Sequence, residues 1–329
     1  MYDWLGMAEH VLAGGEITDE QALAILNCPD EELLLLLHGA YRIRKHYYGN
    51  KVKLNMIINA KSGLCPENCG YCSQSIISSA DIRKYPFLSK AELLKGAEQA
   101  YQLQVGTYCI VASGRGPSNK EIDMVAEAVQ EIKAKYSLKI CACLGVIQPD
   151  QAVKLKEAGV ERYNHNLNTS KEHHPSITTS HSYEDRVNTV NVIKEAGISP
   201  CSGVIIGMRE TKEDVIRVAR ALKALDADSI PVNFLHAING TPLAGVNELN
   251  PRYCLKVLAL FRYLHPSKEI RISGGREVNL RSLQPLGLYA ANSIFVGDYL
   301  TTAGQESTAD HQMLEDLGFE IERFACPIK

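Results

Sequence analysis

The chain changes rhythm at about Lys51. Before it, from Met1 to about Tyr48, apolar residues recur at helical spacing. Thr18-Asp19-Glu20 caps one predicted helix, and Pro29-Asp30-Glu31-Glu32 opens another ahead of the run Leu33 to Leu37. These helices read as a cap or brace. After Lys51, short runs rich in β-branched residues alternate with amphipathic segments. The runs are Leu54–Ile58, Thr107–Ala112, Leu138–Cys143, Arg162–Asn166, Ser202–Ile206, Ile230–Leu235, Glu269–Ser273 and Ser293–Val296. Between them, Ile122, Val125, Ala126 and Val129 form one apolar helical stripe, and Val215, Val218, Ala219 and Leu222 form another. Strand and helix in strict alternation predict parallel pairing. Eight such units over about 250 residues predict an α/β fold, a closed (β/α)8 TIM barrel. An open doubly wound sheet fits less well, because no G-x-G-x-x-G follows the first run. The expected organisation is a helical N-terminal extension over 1–50, a barrel over 51–322 and a tail over 323–329.

Composition narrows the function classes. The 329 residues are 45% apolar and 22% charged, enough for a sizeable core. A net charge of −3 leaves no electrostatic footprint for nucleic acid or an anionic membrane. No apolar stretch approaches the roughly 18 residues of a membrane span. The opening Met1-Tyr2-Asp3-Trp4 lacks a basic signal-peptide head, so a cytoplasmic location is expected. In that compartment the ten cysteines do not read as a disulfide scaffold. Cys28, Cys143, Cys254 and Cys326 read as small hydrophobes or surface thiols.

The other six cysteines carry the candidate chemistry. After the first predicted strand comes Lys61-Ser62-Gly63-Leu64-Cys65-Pro66-Glu67-Asn68-Cys69-Gly70-Tyr71-Cys72, a C-x-x-x-C-x-x-C. It falls at the carboxyl end of a barrel strand, where such folds build active sites. Three thiolates on one tight loop select zinc or an iron–sulfur cluster. A structural zinc takes a fourth side chain, and the nearest histidines, His38 and His46, fall in the predicted helical segment. A cluster with one open iron is the better reading, and a zinc knot is its competitor. The segment Lys61 to Gln74 resembles the cluster loop of the radical S-adenosylmethionine enzymes, with Tyr71 as the aromatic residue before the third cysteine. The resemblance implies that Cys65, Cys69 and Cys72 hold a 4Fe-4S cluster. The amine and carboxylate of S-adenosylmethionine would chelate its fourth iron, and reductive cleavage would release a 5′-deoxyadenosyl radical.

A second constellation is expected inside the barrel. Cys109 lies on the second predicted strand, Cys141 on the third, and Cys201 at the start of the fifth. Such interior thiols can bind a second metal centre or simply fill space. In Glu269-Ile270-Arg271-Ile272-Ser273 the isoleucines share one face, which turns Glu269, Arg271 and Ser273 inward. A buried guanidinium needs an anionic partner, either a sulfide-rich cluster or a carboxylate such as Glu269. Cys143 points to the same side as Cys141, so periodicity does not choose between them.

Several further segments are similar to signatures of one family, the biotin synthases. They are Tyr163-Asn164-His165-Asn166-Leu167, Pro200-Cys201-Ser202-Gly203, Asn239-Gly240-Thr241-Pro242-Leu243, Arg271-Ile272-Ser273-Gly274-Gly275-Arg276-Glu277 and Ala291-Asn292-Ser293-Ile294-Phe295. The resemblance spans about residues 1–322, with a biotin- and thiamine-synthesis-associated region closing the barrel. It implies a sulfurtransferase that converts dethiobiotin to biotin. A 2Fe-2S cluster, the sulfur donor, would be held by Cys109, Cys141, Cys201 and Arg271. Asn166 and Asn233 are assigned to the ureido ring of dethiobiotin, and Thr301 and Thr302 to its carboxylate tail. S-adenosylmethionine is assigned to Tyr71, Asn166, Asn168 and Arg186, with Gly203 and Ile205 near adenine. The family also implies a flavodoxin-type electron donor and a homodimer. One departure stands out, since Asn168 replaces a commoner aspartate. Competing readings are a related radical enzyme, such as a thiamine-pathway lyase, and a non-catalytic iron–sulfur or zinc-binding protein. His173, His174 and His181 are expected in a solvated polar loop.

Overall fold

A computed structural model describes residues 2–322, so the expected 323–329 tail and Cys326 lie outside the described residues. Helices α1 (Trp4–Leu12), α2 (Asp19–Leu26) and α3 (Leu33–Tyr48) precede the first strand, β1 (Lys51–Lys61). There follow α4 (Lys90–Gln102), β2 (Thr107–Ala112), α5 (Asn119–Lys135), β3 (Lys139–Cys143), α6 (Pro149–Ala158) and β4 (Arg162–Asn164). The middle of the chain forms α7 (His174–Ile177), α8 (Tyr183–Glu195), β5 (Ser199–Cys201), β6 (Val204–Ile206), α9 (Lys212–Ala224) and β7 (Ser229–Phe234). It ends with α10 (Pro251–Leu264), β8 (Glu269–Ile272), α11 (Arg276–Leu280), α12 (Gln284–Gly287), β9 (Ser293–Phe295), α13 (Ser307–Asp316) and β10 (Glu320–Ile321).

The strands run in the order β1-β2-β3-β4-β5-β7-β8-β9, and β9 pairs back onto β1, which closes the barrel. Every ladder is parallel. Local signals set the helix starts: Ser89, Ser118, Ser182 and Thr211 each open a helix with a reciprocal capping box. The two-residue period sets the faces. Tyr108, Ile110, Ile140, Ala142, Ile230, Val232, Ile270 and Ile272 are buried in the core between barrel and helices. Their neighbours Cys109, Cys141, Glu269 and Arg271 turn to the axis, as the alternation in Glu269–Ser273 predicts. The axis is therefore polar, unlike a barrel filled with aliphatic layers.

Three details depart from the sequence expectation. The fifth stave breaks into β5 and β6 at Ser202-Gly203, where a Cβ on Gly203 would lie 2.0 Å from the Pro231 carbonyl oxygen. The fourth ends at Asn164, and Asn168, in the left-handed region at φ 69°, forms a bridge to Val204 instead. An unforeseen strand, β10, pairs with Lys51 and Val52. Helices α2 and α3 pack outside the barrel on α9 and α10, with Lys256 Nζ on Asp30 at 2.7 Å. Among the described residues no helix is long and apolar enough to cross a membrane.

Candidate functional site

The carboxyl ends of the strands surround a cavity of about 410 Å³, a size suited to small ligands. It brings together Cys65, Cys69, Cys72, Tyr71, Cys109, Cys141, Arg271, Asn166, Asn168, Arg186, Ile205, Asn233, Thr301 and Thr302. Two predicted site residues do not reach the cavity wall. Cys201 lies fully buried behind it, and Gly203 sits at the β5–β6 break, its N–H donating to Asn166 Oδ1 at 3.0 Å.

The loop after β1 holds its shape through a polar seam with the segment before α8. Asn68 Oδ1 accepts from Thr178 Oγ1 at 2.9 Å, Thr179 N–H at 3.0 Å and Ser180 N–H at 3.1 Å. Gly70 N–H donates to the Ile177 carbonyl at 2.8 Å, and Gln74 Oε1 receives the Gly63 N–H at 3.0 Å. Burial pushes the Cys72 thiol up to about 12 and raises Cys65 as well, so binding a metal here releases protons. Among the described residues, no three His, Cys, Asp or Glu side chains converge as one metal ion requires. The loop thus fits a cluster, whose irons each take one thiolate, better than a mononuclear zinc.

Deeper in the barrel, Cys109 and Cys141 pair across β2 and β3. Cys201 pairs with Asn164, whose Nδ2 donates to its sulfur at 3.2 Å. Arg271 lies beside them. Its Nη2 donates to Glu269 at 2.6 Å and to Ser229 Oγ at 3.0 Å, and its Nε to Ser293 Oγ at 3.3 Å. Among the described residues no hydrogen bond reaches Nη1. Both anionic partners proposed for this guanidinium therefore have a place: Glu269 on one side, the thiols on the other. Glu269 also meets Arg162 at 2.9 Å and Lys53 at 3.2 Å. Burial alone would raise its pKa, but Arg162, Arg271 and Lys53 hold it well below the usual carboxylate range. Three cations against one carboxylate leave a positive surround suited to thiolates and sulfides. Hydrogen bonding to Cys109, then burial, raises the Cys141 thiol well above its ordinary value. Cys143 lines the cavity too, with its thiol on Asn164 Oδ1 at 3.3 Å. It is no bland core thiol, and it differs from the buried Cys141 in its partner and in being half-buried.

Around these centres the polar groups are partly unanswered. Asn166 Oδ1 accepts from Asn164 at 2.8 Å. Asn168 Nδ2 donates to Tyr71 Oη at 2.7 Å. Asn233 is tied on both sides, to Val204 O and Gly274 N–H, each at 3.0 Å. Thr301 Oγ1 meets Ser73 Oγ at 2.8 Å. Ser113 Oγ, His165 Nε2 and Arg186 Nε belong to cavity-lining residues and are buried without a partner. A ligand with a carboxylate and hydroxyls would answer them.

The histidine expectation is overturned. His174 is buried, His173 Nε2 meets the Met208 carbonyl at 2.9 Å, and His181 lies between Glu67 and Arg186. The segment folds back over the barrel mouth onto the cluster loop instead of running out to solvent. Sequence reasoning also passed over Glu67, Asn68 and Arg115. Two of them are polar residues inside the cysteine motif, and that position was the available signal.

Residues 61–222 match the Radical SAM superfamily, and residues 231–320 match the Biotin and Thiamin Synthesis associated domain. The chain is 76% identical over 327 residues to the biotin synthase of Geobacillus kaustophilus (strain HTA426), covering 99% of this chain and 98% of that one. It is 74% identical over 322 residues to the biotin synthase of Bacillus subtilis (strain 168), covering 98% and 96%. Among solved structures, methylornithine synthase superposes with a TM-score of 0.83 at 21% identity, over 96% of this chain and 97% of that one. The FeFe-hydrogenase maturase HydG from Carboxydothermus hydrogenoformans gives 0.81 at 18%, over 98% and 80%. At such low identity these two show the fold alone. Identity along nearly the whole of both chains goes further and makes this protein a member of the biotin synthase family, within the radical S-adenosylmethionine superfamily.

Proposed function

We propose that this chain inserts sulfur into dethiobiotin to form biotin, with Cys65, Cys69 and Cys72 holding the outer cluster and Cys109, Cys141, Cys201 and Arg271 the inner one. When bound, the 4Fe-4S cluster with S-adenosylmethionine supplies a carbon radical able to take hydrogen from unactivated carbon, and the 2Fe-2S cluster supplies sulfur. The residues of the chain position and enclose. Arg186 offers its unpartnered Nε to the cofactor carboxylate. Tyr71 and Asn168, joined to each other, and Asn166 and Ile205 line the rest of the cofactor's space, while Gly203 lets the backbone pass close. Asn166 and Asn233 present amides to the ureido ring, and Thr301 and Thr302 take the carboxylate tail. The carrying observation is that one cavity is lined by all three loop thiols and by Cys109, Cys141 and Arg271 of the inner set.

The protein works in this reading as a cytoplasmic homodimer with a flavodoxin-type donor. The nine described cysteines all stand as free thiols, which suits a reducing compartment. The test is product analysis after mixing reduced, anaerobically reconstituted protein with dethiobiotin and S-adenosylmethionine. Biotin is expected. Cys69→Ala should abolish cofactor cleavage, and Cys141→Ala should leave abortive cleavage without product. A single four-iron centre per chain would remove sulfur donation from the account.

A further inference from the structure

A polar chain crosses the barrel mouth to Arg186, and its members Glu67, His181 and Arg115 have no part in the reading above. Glu67 lies inside the cluster loop and is only 6% exposed. Its carboxylate meets the Ser180 hydroxyl and His181 Nδ1, and Arg115 Nη1 donates to it at 3.2 Å. The other ring nitrogen, His181 Nε2, faces Arg186 Nη2 at 2.6 Å. A guanidinium has donors and no acceptor, so Nε2 accepts here. The ring proton therefore sits on Nδ1, where Glu67 takes it, and each link fixes the polarity of the next. Burial and the Arg186 charge lower the His181 pKa, which favours the neutral ring this order requires. Arg186 has one other anchor, from Nη1 to the Asn166 carbonyl at 2.8 Å. With both terminal nitrogens tied, Nε is left buried and unpartnered beside the cavity.

We propose that His181, oriented by Glu67, is a positioning residue that sets the direction of the Arg186 guanidinium and so ties the shape of the cluster loop to binding of the cofactor carboxylate. The inference rests on the assignment of Arg186 to S-adenosylmethionine and deepens it. The loop that supplies three thiols also supplies the carboxylate that aims the cofactor's anchor. Tight binding thus requires the loop to be in its folded shape. A packing role would need only the volume of the ring, whereas positioning needs an acceptor where Nε2 stands.

The test is S-adenosylmethionine affinity, by anaerobic equilibrium dialysis on the reconstituted full-length protein, with iron content measured on the same sample. His181→Phe keeps the bulk and removes the acceptor. Its Kd should rise about tenfold, as expected for losing one hydrogen bond to a charged group, at wild-type iron content. His181→Gln can accept from Arg186 and donate to Glu67, and should restore affinity to within about threefold. Equal losses in the Phe and Gln variants, or no loss in either, overturn the proposal. Arg186→Gln separates the two levels of inference. If it leaves affinity unchanged, the assignment of Arg186 itself falls. If it weakens binding and His181→Phe does not, only the positioning role falls. Should His181→Phe fail to take up iron, Glu67→Ala and Glu67→Gln replace it. The Ala variant should then bind less tightly than the Gln variant, and equal affinities overturn the proposal.

Discussion

At the floor of the barrel, the buried Arg262 gives Nε to the Ala290 carbonyl at 2.8 Å and Nη2 to Asn292 Oδ1 at 2.8 Å. Its Nη1 serves the carbonyls of His265, Pro266 and Lys268. At the mouth, the buried Arg186 meets two partners and leaves Nε empty. The same side chain thus does opposite work at the two ends. Floor charges are answered by the chain itself and contribute stability. A mouth charge is held rigid but incomplete, with its remaining capacity kept for a ligand. Glu269, shared by Arg271, Arg162 and Lys53, follows the floor rule, although one of its cations faces the inner thiols.

The contrast is broken hardest at Glu269. Glu269→Gln leaves its cations uncompensated and should cost about 3–5 kcal/mol in denaturant unfolding; a loss below about 1 kcal/mol would mean that the floor is no ion network. Acid probes the same end. Burial pushes the pKa of His265 down to about 3, from an ordinary 6.5. The unfolded chain takes up this proton and the folded one does not, so stability is complete above pH 6.5 and is lost as pH falls towards 3. At pH 4.5 the loss from this residue should be on the order of 2–3 kcal/mol, and His265→Gln should flatten the unfolding profile over that interval. An unchanged profile would remove His265 from the floor's acid sensitivity. Between floor and mouth, Gly203→Ala should cost about 1–3 kcal/mol, because its Cβ meets backbone that cannot swing away. The smallest effect belongs to the mouth. Ser113 Oγ has no partner, so Ser113→Ala should shift stability by less than about 0.5 kcal/mol, and a large loss would contradict the idea of capacity held in reserve.

What was legible in the sequence was local or periodic. The alternation in Glu269–Ile272 placed Arg271 inside, and the cysteine spacing located the loop. What was hidden depended on distant partners. Between Ser202 and Ile206 only Gly203 hints at a break, because the close approach that imposes it comes from Pro231. The histidine segment reads as solvated from its own composition, since its partner Glu67 lies 114 residues away from His181. The unpaired Nη1 of Arg271 and Nε of Arg186 are likewise properties of the assembled barrel, invisible to spacing.

The closing ladder of the barrel carries a consequence for biogenesis. Lys53–Asn55 register with Ser293–Phe295, and Lys51–Val52 with Glu320–Ile321. The thiol loop is therefore made well before the strands that seat its parent strand, and closure of the ring is a pairing between distant parts of the chain. Until β9 and β10 are made, β1 lacks its neighbours on that edge and the ring of staves around the cavity stays open.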